Sequence, residues 1–170
     1  MAGAALSITV QVMDRQVQRG FDQLQHLMGN TRPVMVAIGV ELVSSTHMRF
    51  VTQTDPDGQA WRALNTEYAQ GKRNSRILTE SGRLRDSINS QASSDEVRVG
   101  TNVIYAGAHQ FGAEIKPKTA SHLFFRIGGR LVMTDSVTLP DRPFLGISSQ
   151  DETSIAEIVF DFVDRYSTRP

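Results

Sequence analysis

The chain has 170 residues and a mass of 18.8 kDa, with 18 basic and 18 acidic side chains and no cysteine. That length suits one domain with a real core and is short for two. Zero net charge argues against a dedicated binder of nucleic acid or acidic membranes, so any electropositive surface must be local. The missing thiols exclude disulfides and thiolate zinc sites and fit a reducing cytoplasm.

The opening, MAGAALSITVQV, carries no charge before Asp14 and lacks a basic n-region, so no signal peptide is expected. No apolar run is expected to span a bilayer, and no membrane partner is foreseen. Leu6, Ile8, Val10 and Val12 alternate with polar residues, the period of a strand with one buried face. From Asp14 the period changes: Val17, Phe21, Leu24 and Met28 recur every three or four residues, predicting an amphipathic helix that ends near Gly29. Asn30 or Thr31 then caps a second helix, with Pro33 in its first turn where a missing N–H costs nothing. This helix is apolar nearly all round from Val34 to Val43 and polar from Ser44, so it is expected to be buried at one end and to emerge into solvent at the other.

DPDG at Asp55 to Gly58 resembles part of a calcium loop, but the spacing refuses it: counting from Asp55, Gly58 is fourth and Thr66 twelfth. The same residues suit successive positions of a type I turn. Trp61 and Leu64 are expected to begin a short helix, with Trp61 a core or interface anchor. The stretch QGKRNSRILTESGRLRD then gathers Lys72, Arg73, Arg76, Arg83 and Arg85. It reads either as a flexible solvated loop over residues 70–80 or as a patch facing phosphate; no aromatic residue interleaves with the cations as a base-stacking surface would want. GRLRDSI continues as a short helix or strand entry, and EVRVGTN as a strand ended by Gly100.

Residues 105 to 113 read YAGAHQFGA. Ala106, Gly107, Ala108, Gly112 and Ala113 permit close backbone approach, while Tyr105 and Phe111 can anchor the segment, which suits a short helix pressed against a sheet. His109 alone could do acid and base chemistry there, yet no HExxH, GxSxG or second histidine four residues away accompanies it. His26, His47 and His122 belong to other elements. A structural His109, bonded to a backbone carbonyl or a neighbouring subunit, is favoured over a catalytic one.

HLFFRIGGRLVM at 122–133 predicts a hairpin turning at Gly128 and Gly129, with Ile127 opposite Arg130, Phe125 opposite Val132 and Arg126 opposite Leu131. Neither face is cleanly apolar, which suits a projecting arm that finds its burial on another subunit, with an ordinary edge hairpin as the alternative. LPDRPFLGIS gives a strand entry; Ser149 with Glu152 makes a capping-box pattern for a last helix, whose stripe runs Ile155, Ile158, Val159, Phe162, Val163 and Tyr166. The expected fold is α+β: one domain over residues 1–170, with a mixed, largely antiparallel sheet of about four or five strands packed against two or three helices, and a projecting β-hairpin.

DPDGQAW, LTESGRLRDSI, VRVGTNVIYAGAHQFGA and RPFLGISSQDETSI, in that order over roughly residues 50 to 160, resemble the phage virion morphogenesis family, the tail completion proteins of Mu-like and related tailed phages. The resemblance implies a structural protein of the virion, made in the host cytoplasm, with no catalytic residue, cofactor or metal. It implies a place at the neck, where the finished tail meets the DNA-filled head, and a six-fold homo-oligomeric ring. The implied partners are further copies of the chain, the tail tube or tail terminator protein, and the head–tail connector proteins. On this resemblance Trp61, Gly82, Leu84, Tyr105, His109, Phe111, Gly112, Arg142, Pro143 and Phe144 form the family signature, with a packing or assembly role; monomer core and ring contact are both open to them. Lys72, Arg73 and Arg76 become candidates for lining the lumen and touching DNA without sequence preference. Three alternatives stand beside it: a terminator that caps tail-tube growth, a nonspecific DNA-binding module, and an enzyme using His109.

Overall fold

The computed structural model describes residues 6–9 and 30–167. The helix expected over 14–29, and the expected continuation of the first strand through Val10 and Val12, lie outside the described residues. In chain order the elements are β1 (Leu6–Thr9), α1 (Arg32–Thr52), α2 (Thr66–Gly71), α3 (Arg83–Asp86), β2 (Asn89–Ala92), β3 (Val97–Thr101), α4 (Ala106–Phe111), β4 (Ala113–Ile115), β5 (Leu123–Ile127), β6 (Arg130–Thr134), β7 (Val137–Leu139) and α5 (Ser149–Ser167). The fold is α+β. Among the described residues the strands form three small antiparallel sheets, β1-β3-β2, β4-β7 and β5-β6, where the sequence suggested a single larger one. The strands are three to five residues long, and helices and irregular straps intervene between the pairs.

α1 is the spine of the molecule. Thr31 is its cap residue but makes no side-chain bond to the helix: its hydroxyl donates to the Ser94 carbonyl and ties the helix start to the β2–β3 turn, while Asn30 Oδ1, one residue earlier, accepts the Arg32 N–H at 3.1 Å. The expectation of one buried and one solvated end fails. Val34, Met35, Ile38, Leu42, Thr46, Arg49 and Phe50 form a buried stripe along the whole length, so the helix is divided by face and not by half. Thr46 is buried because its hydroxyl donates to the Leu42 carbonyl, and Arg49 because it has four polar partners. By length and composition α1 is also apolar enough to cross a membrane, contrary to the expectation; its packing against β2, β3 and α5 supplies another reason for that character.

Val97, Val99 and Thr101 point inward from β3 at every second residue, as a strand with one covered face requires. The strand runs through Gly100 to Thr101 instead of ending at the glycine. The Asp55 segment is the expected turn, closed by the Gly58 N–H on the Asp55 carbonyl at 3.1 Å and flanked by a Thr54–Ala60 bridge. The short helix after it begins later than expected, at Thr66 with Asn65 as its cap, which leaves Trp61 in an irregular strap.

The β5–β6 hairpin has the register read from the sequence, including Phe125 opposite Val132 and Arg126 opposite Leu131. Gly128 and Gly129 have φ of 56° and 85°, the two positive values that a tight two-residue turn demands and a Cβ would oppose. The capping box of α5 lies one residue upstream of the expected pair. The Ser148 hydroxyl accepts the Asp151 N–H at 3.1 Å, and Asp151 Oδ2 accepts the Ser148 N–H at 2.8 Å.

Candidate functional site

The RPFLG strap at 142–146 threads between α4, α1 and the Trp61 strap, and backbone groups do most of the joining. The Arg142 N–H donates to the His109 carbonyl at 2.7 Å, and the Arg142 guanidinium donates through Nε to Arg62 O at 2.8 Å and through Nη2 to Ala63 O at 3.1 Å. Trp61 Nε1 donates to the Pro143 carbonyl at 2.8 Å. Arg49 Nη1 reaches the carbonyls of Phe144 and Gly146 at 3.1 and 2.9 Å, and Nη2 meets Asp151 Oδ2 at 2.5 Å. Phe144 is fully buried, its ring 5.4 Å from that of Phe50, which in turn meets Trp61 edge-on at 5.5 Å.

Gln110 completes this network from inside α4. Its Nε2 donates to the Leu145 carbonyl at 2.8 Å, while Oε1 accepts the N–H groups of Phe144 and Leu145 at 3.1 and 3.0 Å. In a strap that belongs to no sheet, three peptide groups, the Phe144 N–H and both the N–H and carbonyl of Leu145, are therefore satisfied by one side-chain amide. Burial, the largest single influence on Asp151, pushes its carboxyl up; hydrogen bonds from Ser45 and Ser148 and the Arg49 charge outweigh it and hold the group below 3.8, so it stays ionised.

The signature residues divide into two sets. Trp61, Leu84, Arg142 and Phe144 are buried, and Pro143 offers its carbonyl to the same network, so these build the monomer. Gly82 starts α3 at φ 80°, and Gly112 ends α4 at φ 72°, where a Cβ would stand 3.1 Å from Leu139 O and Asp141 N. Tyr105 and Phe111 instead face outward, Phe111 at 67% exposure, beside exposed Ile104 and Ile115. Close approach is thus confined to fully buried Ala106 and to Gly112, since a Cβ at Gly107 would meet nothing within 4 Å, while the large apolar residues of the stretch leave an exposed face.

His109 lies between the two sets, in the wall of a cleft of about 610 Å³ that the inner face of the hairpin overhangs, with Tyr68, Leu78, Phe125, Ile127 and Leu139 among the lining residues. Tyr105 stacks edge-on against it at 5.9 Å. Burial, and then the Arg142 charge, lower its pKa below 6.5, so the ring is neutral at pH 7. Its backbone carbonyl takes the Arg142 N–H, but among the described residues its buried Nδ1 has no hydrogen-bond partner, so nothing there orients it as a base.

Lys72 departs from the expected DNA-facing set. Its side chain is only 3% exposed and its ammonium is spent on Glu80 at 2.8 Å, the Thr79 carbonyl at 2.6 Å and Asn74 Oδ1 at 3.0 Å. It folds the loop onto itself, whereas Arg73 and Arg76 remain exposed. Arg49, Gln110 and Asp151 were missing from the expected site. Arg49 falls on the three-and-four spacing of Met35, Ile38, Leu42 and Thr46, which marks it as buried; Gln110 has no such signal.

The sequence model of the phage virion morphogenesis family matches residues 12–164. The putative capsid assembly protein G of Escherichia phage Mu is 26% identical over 163 residues, covering 91% of this chain and 93% of that protein. The Mu-like prophage FluMu G protein 2 of Haemophilus influenzae is 28% identical over 148 residues, covering 87% and 89%. No solved structure matches the chain. A match that runs through α1, the α4 segment, the RPFLG strap and α5 makes the chain a member of the phage virion morphogenesis family.

Proposed function

We propose that the chain is a tail completion protein: a structural component that forms a ring at the head-proximal end of a phage tail and lets head and tail join, through contacts and without turnover. The observation that carries this reading is large apolar side chains left exposed on several distinct elements: Ile104, Tyr105, Phe111 and Ile115 around α4, Phe124, Leu131 and Met133 on the hairpin, Phe160 on α5, and Val36, Val40, Met48 and Val51 on α1. Subunits in a closed ring touch head to tail, and each needs two different surfaces. Family membership and the name of the phage Mu relative, a putative capsid assembly protein, support a role in building the particle.

In this reading the ring is a hexamer, one rim meets the tail tube or terminator protein, and the other meets the head–tail connector. Arg73 and Arg76 line the lumen and touch genomic DNA without sequence preference. Gold-labelled antibody against the chain, applied to purified virions, tests the location. Label at the head–tail junction is expected. Label over the head shell would favour a capsid role, and label at the distal tail end would overturn the neck position.

A further inference from the structure

Two exposed faces of the chain complement each other in chemistry and length. In the hairpin register Phe124 lies opposite Met133 and Arg126 opposite Leu131, so these four share the outward face; Arg130, opposite Ile127, belongs to the other face but is exposed at the turn end. All five are exposed, Leu131 at 60%. Arg126 Nη1 donates to the Gly129 carbonyl at 3.0 Å, which holds its charge beside the turn. This face is apolar with a positive end.

The outward face of α5 is apolar with a negative border. Ala156 and Phe160, one turn apart, form its exposed centre, Phe160 at 72% exposure, and exposed Glu152, Glu157 and Asp161 flank them. A five-residue strand is about 17 Å long, and the α5 stretch from Glu152 to Asp161 is about 15 Å. Both faces are exposed, so neither covers the other within one chain.

We propose that the hairpin of one copy docks across α5 of the next, setting Leu131 and Met133 against Phe160 and the Arg126 charge, with that of Arg130 at the turn end, against Glu157 and Asp161. The occupant of each face is a second copy of this chain. Pairing hairpin with hairpin would bring arginines together, and pairing α5 with α5 would bring carboxylates together. Like charge opposes both symmetric contacts and favours the head-to-tail one. Two-faced pairing of this kind propagates from copy to copy, which a ring requires. The contact rests on the ring reading above and gives it an interface.

The absence of cysteine permits a direct test. Leu131→Cys and Phe160→Cys chains are mixed under mild oxidation, both as purified protein and in phage particles assembled from the variants. Disulfide-linked heterodimers are expected from the mixture, and a ladder from a chain carrying both changes. Arg126→Glu with Arg130→Glu should abolish the cross-link, and Glu157→Arg with Asp161→Arg on the partner should restore it. Unchanged circular dichroism and melting temperature show that each variant folds.

A mixed yield no higher than that of Leu131→Cys with Val40→Cys, a control on exposed α1 surface, would overturn the interface, as would a predominance of Leu131→Cys homodimers. Charge reversal that leaves the cross-link intact but weakens DNA binding would reassign the arginines to nucleic acid. The cross-link reports the interface and the gold label reports the location, so either proposal can fail while the other stands.

Discussion

Gln110 binds both sides of one peptide residue, Leu145: its amide nitrogen donates to the Leu145 carbonyl at 2.8 Å and its amide oxygen accepts the Leu145 N–H at 3.0 Å. The side chain does for the strap what a neighbouring strand would do. Gln110→Leu keeps the volume and removes all three bonds, leaving the Phe144 and Leu145 amides buried and unpaired. A loss of about 3 kcal/mol is expected, measured by urea unfolding. A loss under about 1 kcal/mol would mean that the strap finds other partners.

Arg49 holds four groups at once, and Asp151 is ionised inside the core beside it. Arg49→Met keeps the stem and leaves that carboxylate uncompensated, at a cost of about 3 to 5 kcal/mol. Because the folded Asp151 pKa lies below 3.8, its contribution is fully present above the unfolded value and is lost as pH falls through the folded one. Acid titration of Asp151→Asn should show that much less pH dependence at the low end.

His109 shows the opposite protonation logic. Its folded pKa is below 6.5, so as pH falls from 6.5 the unfolded chain takes up a proton first and stability declines. His109→Gln should flatten the stability profile between pH 6.5 and the folded value. A profile unchanged by the substitution would show that the ring protonates in place.

Gly112 turns the chain from α4 into β4 at φ 72° and ψ 164°, with backbone on two sides of its α-carbon. Gly112→Ala combines a disfavoured conformation with close contacts and should cost roughly 2 kcal/mol. Thermal unfolding checks this, with Gly107→Ala, where a Cβ would meet nothing within 4 Å, as the helical control.

Phe111 should behave differently from every buried signature residue. Phe111→Ser removes an exposed ring, so unfolding free energy should stay within about 0.5 kcal/mol of the parent, while the yield of joined particles falls. Normal particle yield from a chain carrying both Phe111→Ser and Tyr105→Ser would remove the α4 face from the assembly surfaces.

The hairpin was legible to the residue because a Gly-Gly turn between β-formers leaves one register that matches the turn. The cap of α5 was misread by one residue because Ser148 and Ser149 both precede an acid at the right distance, and only the folded backbone selects Ser148. The α1 face was misread because the run of apolar and small residues from Val34 to Ser45, broken only by Glu41, hides a period that buried Arg49 and Thr46 restore. Lys72 looked like surface charge because nothing local announces that Glu80 and the Thr79 carbonyl will curl back to it. The site was legible as a signature but not as two roles. Which side of α4 faces the strap depends on Gln110, whose partners lie 34 and 35 residues away.

The most direct measurement is negative-stain electron microscopy of lysates from the encoding phage with this gene disrupted. DNA-filled heads beside separate tails of normal length are the predicted result, and restoring the gene should restore joined particles. Tails of uncontrolled length would make the chain a terminator that caps the tube. Normal joined, infectious particles would contradict the assembly role itself.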